Sequence, residues 1–146
     1  MHKAPFAAIT AVLFMMLASA ASYGADPSGP PLVSGSDPAR VADCADGRAY
    51  VYPAYIIYTR KSPYFEGQDI YVFKPRGPVA DPCALASREA WYTINAGEFG
   101  GANTFVGMHG GNLFIDEWPG RDHKRLLVVD ADKKSLVYFD WYADPA

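Results

Sequence analysis

The stretch Arg125–Tyr142, RLLVVDADKKSLVYFDWY, decides the fold. Leu126–Val129 is too short for a helix and rich in β-branched residues, and Leu136–Tyr142 combines β-branched and aromatic residues. Between them, Asp130–Lys134 supplies aspartates that form Asx turns and lysines that stay in water, so the chain is able to reverse there. The stretch therefore predicts a β-hairpin. Because a two-stranded hairpin is not stable alone in water, it must belong to a larger sheet.

Four further segments have strand composition and are separated by turn residues: Ala49–Thr59, Asp69–Lys74, Asn103–Val106 and Asn112–Trp118. Pro53 interrupts the first of them, and because proline donates no ladder hydrogen bond, we expect an edge position or a bulge there. Consecutive hairpins favour antiparallel pairing over parallel crossovers. The predicted fold class is mainly β (α+β), a small antiparallel sheet, sandwich or barrel of about six strands with one short helix.

The helix prediction depends on Asp81, a suitable N-cap, and on Pro82 at the first helical position, with helical composition continuing to Tyr92. Cys44 and Cys83 are the two cysteines of the chain, and neither belongs to a Cys-x-x-Cys pair. In an oxidising compartment we therefore expect a structural disulfide rather than redox chemistry. Closing a loop of about 40 residues would stabilise the fold by roughly 4 kcal/mol and hold the helix to the start of the domain.

The N-terminal residues have the features of a secretory signal peptide. Lys3 is followed by the apolar run Phe6–Leu17, which is shorter than the roughly 20 residues of a membrane span. Small residues then permit cleavage between Ala20 and Ala25. We expect residues 1–24 to be the signal peptide, residues 25–40, rich in Pro, Gly and Ser, to be a flexible leader, and residues 41–146 to form a single β-rich domain. The expected location is periplasmic or secreted, with no stable membrane anchor after cleavage.

The charge of the chain argues against nucleic-acid binding. The whole sequence has a net charge of −3, and loss of Lys3 with the signal peptide leaves 12 basic residues against 16 acidic ones, or 12 − 16 = −4. A nucleic-acid binder normally has a basic stripe, which this sequence lacks. A mildly acidic surface favours a basic partner, although solubility alone requires a charge of this size.

Metal and catalytic motifs are weak. Five histidine and acidic residues lie between positions 109 and 123: His109, Asp116, Glu117, Asp122 and His123. They lack the tight spacing of a zinc site, and the turn Asp130–Asp132 lacks the glycine and the terminal glutamate of a calcium loop. There is no Gly-x-Ser-x-Gly motif, and a sequence does not give the carboxylate separation that a glycosidase needs. We predict no catalytic residue, no metal and no cofactor.

Two connecting segments concentrate the residue types of binding hot spots. The chain has 10 Tyr, 8 Phe and 3 Trp, and the glycine-rich loop Gly107–Gly111 and the turn Trp118–His123 add glycine, aromatic, Arg and His residues. The predicted binding residues are Met108, His109, Trp118, Arg121 and His123. The structural alternative is that the glycines permit positive φ angles and that Trp118 caps the core. Aromatic platforms also bind sugars, so a carbohydrate-binding module stays open.

In its general plan the chain resembles the periplasmic inhibitor and immunity proteins of bacteria, which block toxins or cell-wall hydrolases. The shared features are a signal peptide, a small acidic β-rich domain, one disulfide and no catalytic motif. The resemblance is one of plan and no motif accompanies it. It implies a protein partner such as a basic toxin or hydrolase. The expected function is an exported protein-binding domain, with a small secreted hydrolase or a carbohydrate-binding module as the alternatives.

Overall fold

The computed structural model describes residues 37–120 and 123–143, which form nine β-strands and one 3-10 helix. The predicted signal peptide, residues 25–36 of the predicted leader, and Arg121 and Asp122 lie outside the described residues. The strands are β1 (Arg40–Asp43), β2 (Gly47–Val51), β3 (Ile56–Lys61), β4 (Gln68–Phe73), β5 (Tyr92–Ile94), β6 (Ala102–His109), β7 (Asn112–Trp118), β8 (His123–Asp130) and β9 (Ser135–Ala143); the 3-10 helix spans Pro82–Ser87.

The strands form two antiparallel sheets that do not close into a barrel. Sheet I contains β1 to β5 and sheet II contains β6 to β9, and within each sheet every strand pairs with the strand that precedes it in the chain. The predicted mainly β, antiparallel class is confirmed, as is the hairpin at the end of the chain, which is β8 and β9. About six strands were predicted, and the described residues form nine. Pro53 lies in a turn that divides Ala49–Thr59 into β2 and β3, and the short strands β1 and β5 were not predicted.

The main core lies between the two sheets. Alternate residues of each strand point inward, so the cluster draws on both sheets. Its buried members include Ile57, Ile70, Val72 and Ile94 of sheet I and Phe105, Met108, Leu113, Ile115, Leu127 and Val129 of sheet II. The rings of Tyr50 and Phe105 meet across the interface, with their centroids 5.0 Å apart. Packing therefore stabilises both sheets, because the hairpins of one sheet would not be stable alone in water.

The other face of sheet I packs under the 3-10 helix. Leu85 of the helix joins a second buried cluster with Ile56 and Phe73, and the predicted Cys44–Cys83 disulfide is present, with a Cα–Cα distance of 5.5 Å. The predicted N-cap is confirmed, because the Asp81 side chain accepts a hydrogen bond from the backbone N–H of Cys83.

The helix does not reach Tyr92 as predicted. It ends at Ser87, and Tyr92 instead pairs with Val72 as the first residue of β5. Only Pro82 and Leu85 of the helix are buried, so its apolar face is too narrow to continue. The available ladder hydrogen bonds of β4 outweigh the weak local propensity for helix.

Gly67 is placed where the two sheets meet. Its φ is +100°, it forms a bridge with Asn103 at the start of β6, and a Cβ atom here would lie 2.4 Å from the backbone nitrogen of Asn103. Gly100 has a similar φ of +105°, but a Cβ there would meet open space. Glycine is thus required at position 67 both by its backbone angle and by the close approach of the chain.

Candidate functional site

Strand β9 is the outer strand of sheet II and is the most exposed apolar element of the described fold. Its five exposed apolar side chains are between 39% and 53% accessible: Leu136, Val137, Tyr138, Phe139 and Trp141. The strand has nine residues, no proline and one charge, Asp140. Natural edge strands are normally protected by short length, charges or proline, and β9 has little of this protection.

A β-bulge divides β9 into two parts. Val128 pairs with Tyr138 and Val129 pairs with Leu136, so Val137 is the extra residue. From Tyr138 to Ala143 the pairing with β8 is continuous. This six-residue part is a regular edge with one side hydrogen-bonded to β8 and the other side not paired with any described strand.

The large side chains of β9 are distributed over both faces of sheet II. Cross-strand partners share a face, so Phe139 and Trp141 lie on the same face as their partners Leu127 and Arg125, which is the face that bears the core. Tyr138 lies on the opposite face. Since Phe139 and Trp141 are each 50% exposed, they extend beyond the part of this face that sheet I covers.

Arg125 connects these rings to the interior of the protein. Its Nε lies 2.6 Å from Oε2 of Glu117, whose side chain is completely buried, and its guanidinium also donates to the carbonyl oxygen of Phe99 at 2.6 Å. The guanidinium carbon lies 5.6 Å from the ring centroid of Phe139 and 5.0 Å from that of Trp141. A buried carboxylate therefore fixes an arginine, and the arginine orders two exposed aromatic rings by cation–π contact.

The single carboxylate of β9 is engaged within the strand. Asp140 accepts a hydrogen bond from the hydroxyl of Tyr138 at 3.1 Å and another from the backbone N–H of Trp141 at 2.9 Å. The hydrogen bond to Asp140 raises the pKa of Tyr138 above its ordinary value. The side chains of Tyr138 and Asp140 are thus both hydrogen-bonded within β9.

Two of the predicted binding residues lie at the Trp141 end of sheet II. Trp118 is half-exposed at the end of β7, and His123 is exposed at the first residue of β8, where it pairs with Ala143. Arg121, predicted in the same turn, lies outside the described residues. Trp118 does not belong to the buried core, but β8 separates its strand from β9, so Trp118 lies two strands away from the exposed edge.

The other two predicted binding residues lie at the opposite end of the sheet. The prediction of a loop at Gly107–Gly111 is wrong for its first three residues, because Gly107–His109 belong to β6. The turn itself consists of Gly110 and Gly111. Met108 is 2% exposed and packs in the core, while His109 is exposed beside a cavity of about 360 Å³. A bulge at Val106 shifts the register and turns Met108 inward opposite Leu113.

The predicted residues therefore do not form one site. Met108 pairs with Leu113 near one end of β7, and five residue steps separate Leu113 from Trp118, which corresponds to roughly 17 Å along the sheet. Arg125 and the aromatic residues of β9 were predicted to belong to the hairpin at the end of the chain, but they were not predicted to be binding residues. Apolar residues at consecutive positions of a strand, such as LVYF at 136–139, are the signal that identifies them.

Metal-ion and membrane-spanning features are not found in the described part of the chain. Within residues 37–120 and 123–143, no three His, Cys, Asp or Glu side chains come together to hold a metal ion. The neighbours Asp116 and Glu117 point to opposite faces of β7, and Glu117 is used by Arg125. No helix in these ranges is long and apolar enough to cross a membrane.

Comparisons with known proteins found no match to any family model, curated protein or solved structure. The exposed strand β9, with Phe139 and Trp141 beside Arg125 on one face and Tyr138 on the other, is the candidate binding surface of the described fold.

Proposed function

We propose that this protein is an exported protein-binding domain that binds an extended segment of a partner protein along the free edge of β9. The supporting observation is the regular edge Tyr138–Ala143, flanked by half-exposed apolar side chains on both faces. In strand addition, backbone hydrogen bonds supply affinity and the alternate side chains supply specificity. The Arg–Trp–Phe cluster around Arg125 has the residue types that dominate binding hot spots.

The partner segment that fits this edge is extended, uncharged and apolar on both faces. Asp140 is hydrogen-bonded within β9, and Arg125 is paired with Glu117, so neither offers an open charge to a partner. An ionic side chain inserted beside Phe139 or Trp141 would lose its hydration without a compensating pair. The net charge of −3 acts differently, since it attracts a basic protein at long range and raises the association rate.

An inhibitor or immunity protein against a toxin or cell-wall hydrolase is the specific form of this function that we propose. The Cys44–Cys83 disulfide supports the exported location, because disulfides persist in oxidising compartments. Export predicts that intact-mass analysis of protein from the native cells finds cleavage between Ala20 and Ala25. An N-terminus that is retained in full would contradict the exported location.

Site-specific photo-crosslinking tests the surface directly. A photoreactive benzoylphenylalanine at position 139 should crosslink one protein in envelope or secreted fractions, whereas the same group at Val41 should not. Val41 is a matched control, because it is also an exposed apolar residue, 48% accessible, on the edge strand of sheet I. Digestion of the crosslinked product should identify a partner segment that is extended and poor in charge.

Affinity measurements with the purified partner complete the test. Trp141→Lys should weaken binding by at least about 2 kcal/mol, roughly 30-fold, while Val41→Lys leaves the affinity within about twofold. Val41→Lys should unfold at the same urea concentration as the wild type, and Trp141→Lys should lose only about 0.5–1 kcal/mol of stability through its contact with Arg125. Unchanged affinity of Trp141→Lys, or crosslinking at position 41 rather than 139, would contradict the proposal. A wild-type dimer that Trp141→Lys dissociates would show that β9 pairs with a second copy instead of a foreign segment.

A further inference from the structure

A cavity of about 670 Å³ lies beside the second buried cluster, which contains Phe73 and Leu85, and its volume is within the range of small-molecule sites. The end of β4, the connection 75–79, the segment 88–91 and the turn before β9 surround it. Phe73 and Leu85, each 6% exposed, contribute apolar surface to its floor. The cavity is therefore a concave apolar site between the 3-10 helix region and the β8–β9 turn.

The rim of this cavity is basic although the chain is acidic. Its charged residues are Lys74, Arg76, Arg88, Glu89 and Lys134. Four cations and one carboxylate give 4 − 1 = +3, against −3 for the whole chain. Lys74 is paired with Asp132 at 2.6 Å. The side chains of Arg76 and Arg88, in contrast, make no ion pair or hydrogen bond with any residue that the structure describes.

Trp91 forms a fixed aromatic wall. Its indole N–H donates to the carbonyl oxygen of Ala131 at 3.2 Å, and Ala131 is a completely buried residue of the β8–β9 turn, so the ring is held against this turn. The ring is nevertheless 45% exposed. Lys134 Nζ lies 3.9 Å from its centroid and Lys74 Nζ lies 5.8 Å away, which keeps two cations at this wall.

We infer that this cavity binds a small ring-bearing organic anion. Arg76 and Arg88 provide planar, charge-assisted donors for a carboxylate, sulfate or phosphate. The ring of the ligand packs against Trp91 and the apolar floor formed by Phe73 and Leu85. Because no residue of β9 lines the cavity, this site is independent of the proposed protein-binding function.

Nuclear magnetic resonance of the ¹⁵N-labelled, oxidised protein tests the inference. The indole signal of Trp91, assigned with Trp91→Phe, is followed during titration with glucose 6-phosphate and phenyl phosphate, which present a sugar ring and an aromatic ring. Glucose, phenol and inorganic phosphate are the controls. At least one ring-bearing phosphate should bind at least about tenfold more tightly than its neutral counterpart and than inorganic phosphate. Added salt should weaken this binding, because both arginines are exposed.

Charge-removing variants locate the site. Arg88→Gln should weaken binding of the tighter probe by about tenfold. Lys61→Gln removes the same charge from an exposed lysine at the opposite end of β3 and should change the affinity by less than about twofold. Equal effects of the two variants would overturn the inference, as would inorganic phosphate that binds as tightly as the organic probes. No movement of the Trp91 signal with either phosphate up to about 10 mM would overturn it as well.

Discussion

Replacing Arg125 by leucine is expected to destabilise the fold by about 4–5 kcal/mol, because it leaves a buried carboxylate without its partner and removes two cation–π contacts. The Glu117 side chain is 0% exposed, and Arg125 is the residue that donates to its Oε2. Its other oxygen, Oε1, makes no hydrogen bond with any described residue. After the substitution, the described surroundings of Glu117 contain no donor that reaches the carboxylate.

The magnitude follows from the burial of the two side chains. Removing one partner of a buried ion pair costs about 3–5 kcal/mol, and the 17% exposure of Arg125 places this pair at the low end. The lost contacts to Phe139 and Trp141 add about 0.5–1 kcal/mol each at exposed sites. Against a typical total stability of about 5–15 kcal/mol, the loss is large enough to measure at any point in that range.

Urea denaturation followed by far-ultraviolet circular dichroism, with the disulfide oxidised, measures the effect. The double variant Arg125→Leu with Glu117→Leu should recover to within about 2 kcal/mol of the wild type, because neither charge then remains buried and only the two cation–π contacts stay lost. Arg48→Leu is the matched control. Arg48 pairs with Asp43 at the same distance of 2.6 Å, but both side chains are mostly exposed, so its loss should be much smaller.

Two outcomes would refute this reasoning. If Arg125→Leu and Arg48→Leu were equally destabilising, burial of the carboxylate would not be the cause of the loss. If the double variant were as unstable as Arg125→Leu alone, the loss would come from the packing of the arginine side chain and not from the unpaired charge.

Three further predictions concern the disulfide, the junction of the sheets and a buried tyrosine. Replacing Cys44 and Cys83 together by serine should lower the free energy of unfolding by about 4 kcal/mol, since the bridge closes a sequence separation of 39 residues; a loss below about 1 kcal/mol in urea denaturation would argue against the loop-closure origin. Gly67→Ala should destabilise by about 1–3 kcal/mol more than Gly100→Ala, because both have a positive φ but a Cβ at Gly67 meets backbone; equal melting temperatures would contradict the close approach. Burial, with the hydrogen bond that its hydroxyl donates to a carboxylate, raises the pKa of Tyr58 to about 12. In the unfolded chain tyrosine ionises near pH 10, so this contribution to stability is complete below about pH 10 and is lost as the pH rises toward 12. The wild type should therefore lose stability more steeply than Tyr58→Phe between about pH 10 and 12, and parallel losses would refute the shift.

Short-range patterns in the sequence determine the hairpins, their antiparallel pairing and the disulfide. The hairpin of β8 and β9 follows from two β-favouring runs on either side of Asp130–Lys134, and the strand composition of β7 is equally clear. The disulfide follows because a chain with two cysteines has one intramolecular pairing. The hairpins depend on residues that are neighbours in the chain, and the disulfide has one possible pairing. Neither prediction therefore requires knowledge of how the two sheets pack.

Which face of each strand is buried by the other sheet depends on the tertiary structure alone. A half-buried strand and an edge strand have similar compositions, so the exposure of Phe139 and Trp141 depends on how far sheet I extends over sheet II. The same holds for Met108, which one bulged residue in β6 turns into the core. Tyr92 leaves the predicted helix because a partner strand 20 positions earlier offers a ladder.

The candidate site is likewise a product of long-range contacts. Glu117 and Arg125 are eight residues apart and become a buried pair because β7 and β8 pair in one register, and Trp141 joins them from β9. Trp91 and Lys134 meet at the cavity although 43 positions separate them. The sequence supplies the residue types, whereas burial, pairing and exposure arise only when the two sheets pack together, because each depends on atoms that are distant in the chain.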